Sequence, residues 1–459
     1  MRASSDFLFA LLHRNVIHPL WTAKDGDYPY RHLRLLEKSQ YARRESLDAL
    51  RLARLRALVS HAFEKCPYYR KSFADAGVGP ADIKTLADIA RFPRIAKRDI
   101  QEHREEMRRS DRSPEQLILN RTGGSTGEPL LFYLDAERMR SRKAATIRHD
   151  RWAGKDVFTL YASVWGHAGK QEGLKTALVD RYVRRFFYLD ASAVNDASLA
   201  AFMDQVRRLA PEVFLGYANA LLLLARHLES AGITDFPRPR AVISSAEVLT
   251  PESRATISRV LGCPVFDRYG CRETSVIASE CPAHDGLHIN EENLLVEVLD
   301  ANGKPAPPGR PGEIVITDLM NLAMPLIRYR IRDMGELLPG PCPCGRTLSR
   351  MKISGGRVTD FLRLPDGRMV SGASLTINLV ANIPGVRQAQ ILQPDPDRVV
   401  LRLVRGEEFS DATVQKIKSE ARKLLGESAA IGLDFVDRIE PLASGKHPFS
   451  ISCFSKSDL

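Results

Sequence analysis

The chain has 459 residues, a length that exceeds what one compact core usually organises, so two or three domains are predicted. Its hydrophobic content of 44% provides enough apolar side chains for their cores. The formal net charge is +11, but the charges are interspersed and accompany no nucleic-acid-binding motif, so we predict no nucleic-acid partner. The seven cysteines are few and odd in number. This count argues against a secreted disulfide framework and favours a cytoplasmic protein.

The N-terminal stretch DFLFALLHRNVIHPLW, residues 6–21, is apolar but interrupted by two histidines, an arginine and a proline. It is too broken to span a bilayer, so no transmembrane segment is predicted. We interpret it as a helix packed on the body of the protein, with contact to a membrane surface as the alternative. Leucines and alanines at helical spacing over 46–70, with Pro67 ending the pattern, make residues 1–115 a mainly helical region.

Beyond residue 115, short apolar runs alternate with helical patterns, which predicts an α/β sheet with crossover helices and ligands at the strand ends. From 287 to 338 the pattern changes to strands and turns and predicts a more β-rich subdomain. After the double glycine at 355–356, a strand, a helix and a strand predict a small α+β unit. The predicted domains are therefore 1–355 and 356–459.

A loop rich in glycine follows the apolar run LIL, in RTGGSTGEPLLFYL, residues 121–134. Adjacent glycines let backbone N–H groups approach an anion, and hydroxyl side chains add donors. A Walker-type loop would need a lysine and then a helix, whereas Glu128, Pro129 and a strand-like run follow here. The loop predicts phosphate binding outside the Walker class, and a hairpin turn without a ligand is the alternative. Its residues are Thr122, Gly123, Gly124, Ser125, Thr126 and Gly127.

Two later segments carry side chains suited to a nucleotide. In DRYGCRETS, Tyr269 can stack on a purine, Gly270 can admit the ring, and Glu273 offers an oxygen ligand for Mg²⁺, although a buried structural glutamate is as compatible with this motif. In IRYRIRDMG, Asp333 can accept both ribose hydroxyls of AMP, with a salt bridge to a neighbouring arginine as the alternative. The motif SSAEV, residues 244–248, precedes the first of these segments.

The C-terminal hundred residues add two cations. In SGGRVTDF the glycines give the backbone freedom, and Arg357 can reach ribose or phosphate. In PLASGKHPFSIS, Lys446 can neutralise charge on a transferring phosphate. An isolated surface lysine is the alternative for Lys446.

In this order the motifs resemble those of the adenylate-forming superfamily of acyl-CoA synthetases. More narrowly, they resemble the branch that contains phenylacetate-CoA ligases, coenzyme F390 synthetases and CapK-like capsule-biosynthesis proteins. The likeness runs over most of the chain, starting with HAFEKCPYYRKSFADAGVGPADIKTLADIARFP. It implies an α/β fold with a large adenylate-forming N-terminal domain, a helical N-terminal region, a β-rich subdomain and a small mobile α+β C-terminal domain. It implies a homodimer only by analogy.

The resemblance also implies residue roles. Thr126, Glu273 and Lys446 would be catalytic, with Glu273 binding Mg²⁺. The family often carries paired aspartates after Gly-Arg, whereas this chain has Val358, Thr359 and Asp360. The nucleotide-binding residues implied are Thr122, Gly123, Gly124, Ser125, Gly127, Ser245, Ala246, Glu247, Tyr269, Gly270, Asp333 and Arg357.

The chemistry that follows has two steps: a carboxylic acid reacts with Mg-ATP to give acyl-AMP, and a thiol, most simply that of coenzyme A, captures the acyl group. Transfer to a carrier-protein phosphopantetheine or an amine is the alternative, and a non-catalytic nucleotide-binding protein is a third. FLGYANALLLLARHL, residues 214–228, predicts a helix lining an apolar pocket for an aryl or aliphatic acid, with Tyr217, Asn219, Trp165 and His167 as candidate lining residues.

Cysteines and histidines near the end of the large domain predict a structural zinc site. CPAHDGLH and CPCG together offer sulfur and imidazole ligands for tetrahedral Zn²⁺. Some relatives in the resembled branch share this pattern. Free thiols in a turn-rich segment are the alternative. The ligands would be Cys281, Cys342, Cys344 and either His288 or His284.

Overall fold

The computed structural model describes most of the chain, namely residues 8–121, 130–165, 173–191, 196–357, 361–363, 369–371, 383, 385–395, 397–406, 408–426, 430–440 and 450–452. The predicted phosphate loop at 122–127, His167 and Lys446 lie outside the described residues. Among the helices that are described, none is long and apolar enough to cross a membrane.

The N-terminal region is helical, as predicted. Residues 8–24 form one helical path with a wide turn at His13–Ile17. The predicted helix over 46–70 is two helices, because Pro67 cannot continue the first but suits the first turn of the second. The helices are α1 (His18–Lys24), α2 (Tyr30–Ser39), α3 (Arg44–Lys65), α4 (Pro67–Asp75) and α5 (Lys97–Met107), with short 3₁₀ turns at Pro80–Asp82, Leu86–Arg91 and Pro114–Gln116.

The predicted phosphate loop connects two strands of a hairpin. Strand β1 (Ile118–Arg121) pairs antiparallel with β2 (Leu131–Leu134), and Arg121 lies opposite Leu131. Phe132 and Leu134 of β2 are buried in a core shared with α3 and α4. The hairpin is therefore attached to the body of the protein through β2, and β1 is held by its pairing with β2.

The predicted α/β sheet is present. Five strands, β3 to β7, form a parallel array in the order β7-β6-β5-β3-β4. Their bounds are β3 (Tyr161–Trp165), β4 (Phe186–Asp190), β5 (Val213–Tyr217), β6 (Ala241–Ser245) and β7 (Val265–Cys271). The accompanying helices are α6 (Ala136–Trp152), α7 (Leu174–Val179, continued by a wide turn at Asp180–Arg184), α8 (Asp196–Leu209), α9 (Ala218–Ser230) and α10 (Pro251–Leu261). Phe214, Leu221 and Ile257 belong to the core between this array and its helices.

The segment from 287 to 338 is β-rich, as predicted, and its strands extend this sheet instead of forming one of their own. The reason is that β9 pairs with β8, which pairs with β7, so the hydrogen-bond ladder continues without a break. The complete eleven-stranded order is β10-β11-β12-β13-β9-β8-β7-β6-β5-β3-β4. The added strands are β8 (Ser275–Glu280), β9 (Leu287–Ile289), β10 (Leu294–Leu299), β11 (Gly312–Asp318), β12 (Tyr329–Leu338) and β13 (Arg350–Arg357).

The C-terminal part is the predicted α+β unit. Ile417 and Leu425 of its helix pack with Val399 and Leu401 of a four-stranded sheet. The double glycine at 355–356 lies within β13, and the boundary after residue 355 stays a prediction. The elements are β14 (Phe361–Arg363), β15 (Met369–Ser371), β16 (Val386–Asp395), β17 (Arg398–Arg405), α11 (Asp411–Leu425), β18 (Ala430–Phe435) and β19 (Ser450–Ser452), and the sheet order is β18-β17-β16-β19.

Candidate functional site

The carboxyl ends of the parallel strands bring predicted site residues to one edge of the sheet. Trp165 ends β3, Tyr217 ends β5 and Ser245 ends β6. Their strands are neighbours, with Gly216 opposite Ser244 and Ser245 opposite Arg268. Ligands of parallel sheets bind at this edge.

The loop after β6 is tied to both of its neighbours. The Ser245 hydroxyl donates to the carbonyl oxygen of Arg268 at 3.1 Å, next to Tyr269. The Glu247 carboxylate accepts from the backbone N–H of Asn219 at 2.9 Å. Between them Ala246 has φ +66°, a left-handed conformation that side chains rarely adopt and that is held by the surrounding structure. The SSAEV motif is thus locked in one shape between α9 and β7.

The tight β7–β8 turn explains the glycine of the Tyr-Gly-x-x-Glu motif. A Cβ atom on Gly270 would lie 2.5 Å from the carbonyl oxygen of Ser275, so a larger residue would open the turn. The turn presents Glu273, half-buried, whose Oε1 accepts from the Tyr329 hydroxyl at 3.0 Å. The motif is therefore bound directly to β12.

A second hydrogen bond joins the same two elements. The Tyr269 hydroxyl donates to Asp333 Oδ2 at 2.7 Å. Arg330, one of the arginines considered as a partner of Asp333, instead pairs with Glu313 at 2.8 Å. On the next strand Arg357 lies opposite Asp333 in the ladder. The structure thus brings the segments around Tyr269, Glu273, Asp333 and Arg357 together, although they are far apart in the sequence.

Tyr329 is the residue that sequence reasoning missed at this site. It lies four residues before Asp333 on β12, and its hydroxyl reaches Glu273 while Asp333 is reached by Tyr269. Its position beside Asp333 in IRYRIRD was the available signal. Its hydroxyl orients the Glu273 carboxylate, which retains capacity for further ligands because a carboxylate offers about four acceptor positions.

Titratable groups beside the motif have shifted pKa values. Burial raises the pKa of the Cys271 thiol well above its ordinary range, which makes it a poor nucleophile at neutral pH. Burial, reinforced by the Glu280 carboxylate, raises the pKa of Asp267 to about 7. Cys271 is thus suited to packing and not to covalent catalysis.

The candidate acyl-pocket residues meet at the end of β5. The rings of Trp165 and Tyr217 contact each other, with centroids 4.1 Å apart. Asn219 is the second residue of α9. Its side-chain Nδ2 is buried without a hydrogen-bond partner in the described part of the chain. A buried donor without a partner is costly, so this amide is suited to a polar group of a ligand.

The predicted metal ligands form one cluster. Atoms of Cys281, His288, Cys342 and Cys344 all lie within 4.8 Å of one another. Cys281 Sγ and Cys342 Sγ are 3.7 Å apart, too far for a disulfide and close to the separation of two thiolates on tetrahedral zinc with bonds of about 2.3 Å.

One histidine is oriented for this cluster. His288 Nδ1 donates to the Leu348 carbonyl oxygen at 3.2 Å, which leaves Nε2, 3.2 Å from Cys344 Sγ, as the ligand atom. The other candidate, His284, pairs with Glu280 at 3.0 Å. The donor set therefore fits zinc, and His288 is better placed than His284 to complete it.

Comparison with known proteins gives the class to which this fold and site belong. A family model described as "AMP-binding enzyme" matches residues 39–322, and one described as "CapK C-terminal domain" matches residues 362–452. The chain belongs to the AMP-binding enzyme family. It is an AMP-forming ligase.

Individual relatives agree with this class. A phenylacetate-coenzyme A ligase of Aromatoleum evansii is 27% identical over 458 residues, which cover 93% of this chain and 97% of the relative. Protein CapK of Staphylococcus aureus is 27% identical and covers 80% of this chain and 81% of its own. The solved structure of 2-hydroxyisobutyryl-CoA ligase in the postadenylation state has a TM-score of 0.74 and 20% identity, with 91% of both chains covered, and shows the shared fold.

Proposed function

We propose that this ligase converts a small aryl or aliphatic carboxylic acid into acyl-AMP and then transfers the acyl group to the thiol of coenzyme A. The observation that carries the proposal is the pair of hydrogen bonds from Tyr269 to Asp333 and from Tyr329 to Glu273. They bring together the three side chains that the family motifs assign to adenine, ribose and magnesium. A nucleotide bound beside these two hydrogen bonds would contact all three.

The first step needs little covalent work by the protein. A carboxylate oxygen attacks the α-phosphorus of ATP, the bond to the bridging oxygen of the β-phosphate breaks, and pyrophosphate leaves. Asp333 would hold the ribose and Tyr269 would stack on the adenine, while Glu273 would hold Mg²⁺. Bound Mg²⁺ supplies charge neutralisation at the phosphates. Positioning and electrostatics would therefore provide the rate.

The remaining roles in the first step are assigned from the sequence alone to residues 122–127 and Lys446, which lie outside the described residues. The loop would donate backbone and hydroxyl groups to the phosphates, with Thr126 among them, and Lys446 would neutralise the α-phosphate. Ser245, Ala246, Glu247 and Gly270 would shape the adenine pocket. Arg357 would reach the ribose or phosphate from β13.

The second step is capture by a thiol. The sulfur attacks the acyl carbonyl carbon, and AMP leaves with the oxygen that joined it to the acyl group. A rotation of residues 356–459 against residues 1–355 between the two steps is part of the proposal, with the boundary at the double glycine. We place the reaction in the cytoplasm and leave a homodimer as an analogy with the phenylacetate-CoA ligases.

One finding supports an acceptor of the acyl group other than coenzyme A. The match of residues 362–452 to the CapK C-terminal domain makes a carrier-protein phosphopantetheine or an amine an alternative to coenzyme A. The Cys281, His288, Cys342 and Cys344 cluster would hold a structural Zn²⁺ in either case.

The acceptor is tested by measuring AMP release across a panel of aryl and aliphatic acids, each with and without coenzyme A. We expect turnover to depend on both the acid and coenzyme A, with an acyl-CoA product. Acid-dependent AMP release that coenzyme A does not stimulate would favour the carrier or amine acceptor. Coenzyme A consumption without AMP would contradict the mechanism.

A further inference from the structure

The largest concentration of exposed apolar side chains among the described residues lies on the N-terminal helical path and its neighbour. The helical path of residues 8–24, called the first helix below, carries five side chains that are 43% to 67% exposed, namely Leu8, Leu11, Leu12, Val16 and Leu20. Leu178 and Tyr182, on the helix 174–184, are 49% and 54% exposed. We call these seven residues the apolar face. The active-site proposal uses none of them.

The two helices are packed together, so the apolar face is part of a fixed surface. His13 is fully buried, and its Nε2 bonds to the carbonyl oxygen of Val183 at 2.9 Å. The guanidinium of Arg185 lies over the ring of Phe9, 4.8 Å from its centroid. Phe9 and His13 thus form the inner side of the first helix.

The outer side of this helix departs from the normal pattern. A surface helix that packs one side on the protein usually exposes a polar opposite side. Here Leu8, Leu12, Val16 and Leu20, spaced four residues apart, lie close to one side and remain exposed. A helix that is apolar both inside and outside calls for an apolar partner.

The charge of the same two helices specifies that partner. Residues 8–24 contain Arg14 and Lys24 and no acidic residue, and residues 173–185 contain four basic residues. The only acid in either segment, Asp180, is buried and pairs with Arg184 at 2.9 Å. Arg14 lies 3.9 Å from Asp156, which reduces the positive charge of the first segment, and the other basic residues keep the surface apolar and positively charged. The four basic residues of the second segment are Lys175, Arg181, Arg184 and Arg185.

We infer that the apolar face binds the surface of an anionic phospholipid bilayer, with its leucines in the headgroup region and its basic residues on lipid phosphates. A basic helix with exposed leucines is suited to lie in a membrane interface without crossing it. A second copy of the chain fits less well, because a twofold contact would place this positive surface against itself. The inference is independent of the proposed reaction.

The test uses the full-length protein and sedimentation with two kinds of vesicles, pure phosphatidylcholine and phosphatidylcholine with about one third phosphatidylglycerol. We expect binding to the anionic vesicles that is weakened by salt, and little binding to the neutral ones. The double variant Leu12→Asp with Val16→Asp should bind at least about tenfold more weakly. Replacing Lys24 and Lys175, which are both exposed, by glutamine should cost about fivefold for each residue.

The matched control is Leu50→Asp, because Leu50 is an exposed leucine of α3 that lies outside the apolar face. This variant should bind the anionic vesicles like the unmodified protein. Circular dichroism must show that every variant is folded. Equal affinity for both vesicles, absence of binding by folded protein, or equal loss in the Leu50 variant would overturn the inference. A dimer in light scattering that Leu12→Asp disperses would identify a second copy as the partner instead, and would also overturn it.

Discussion

Asp333 is the residue on which nucleotide binding is expected to depend most. Its carboxylate is oriented by the Tyr269 hydroxyl at 2.7 Å, and charged hydrogen bonds to ribose hydroxyls are stronger than neutral ones. We expect Asp333→Ala to raise the KM for ATP by at least about tenfold, equivalent to about 1.4 kcal/mol, while the KM for the acid changes little. Initial-rate kinetics with each substrate varied in turn measure both.

Tyr269→Phe is the matched control for this prediction, because it removes only the hydroxyl that orients Asp333 and keeps the ring. We expect its effect on the KM for ATP to be smaller than that of Asp333→Ala. An unchanged KM for ATP in the folded Asp333→Ala variant would show that this carboxylate does not bind the ribose.

At this scale the sequence predicted residue types better than contacts. Tyr269, Glu273 and Asp333 are recognisable in the sequence because their side chains suit a nucleotide. That Tyr269 contacts Asp333 could not be predicted, because it depends on how β7 and β12 are arranged in the eleven-stranded sheet. The alternative of Asp333 paired with Arg330 was equally compatible with the sequence, and Arg330 pairs with Glu313 on β11.

Helix α6 shows how far an element can depart from its sequence pattern. Its sequence AERMRSRKAATIRHDRW is strongly charged, yet Arg138 and Arg148 are almost fully buried. Arg148 pairs with Glu292 at 2.6 Å, and both side chains are 1% exposed. The pattern could not predict this, because the partner carboxylate lies in a loop more than a hundred residues away.

We expect Arg148→Met to lower the free energy of unfolding by about 3–5 kcal/mol, because Glu292 would be left as an unpaired buried charge. Adding Glu292→Gln should restore part of the loss. The exposed pair Arg98–Glu102 has the same 2.6 Å separation but side-chain exposures of 84% and 49%, so Arg98→Met should cost less than about 1 kcal/mol. Urea unfolding measures the free energy of unfolding of these three variants. An equal loss in Arg148→Met and Arg98→Met would contradict the role of burial.

The cysteine and histidine cluster joins three elements: the end of β8, strand β9 and the turn before β13. We expect purified protein to contain about one zinc per chain, and Cys342→Ser to lose it together with several degrees of thermal stability. Cys263→Ser, a buried thiol outside the cluster, is the control and should keep the metal. Elemental analysis that finds less than about half an equivalent in the unmodified protein would favour free thiols.

At the scale of the whole molecule, the sequence predicted the α/β class, the helical N-terminal region and the α+β C-terminal unit. It did not predict that the strands from β8 to β13 extend the parallel array, because strand periodicity indicates which residues face a core but not which strands pair. The SSAEV, Tyr-Gly-x-x-Glu and Asp333 segments converge through that continuous sheet. Family membership then gives the reaction class, while the acid and the acceptor remain proposals.

Formation of an acyl-AMP by this protein is tested by ATP–pyrophosphate exchange without coenzyme A. We predict exchange that requires Mg²⁺ and depends on one or more acids of an aryl and aliphatic panel. Lys446→Ala should reduce the exchange far more than it reduces thioester formation from supplied acyl-AMP. Folded protein that binds ATP but supports no exchange with any acid, or exchange that needs no acid, would show that the protein does not form an acyl-AMP in this way.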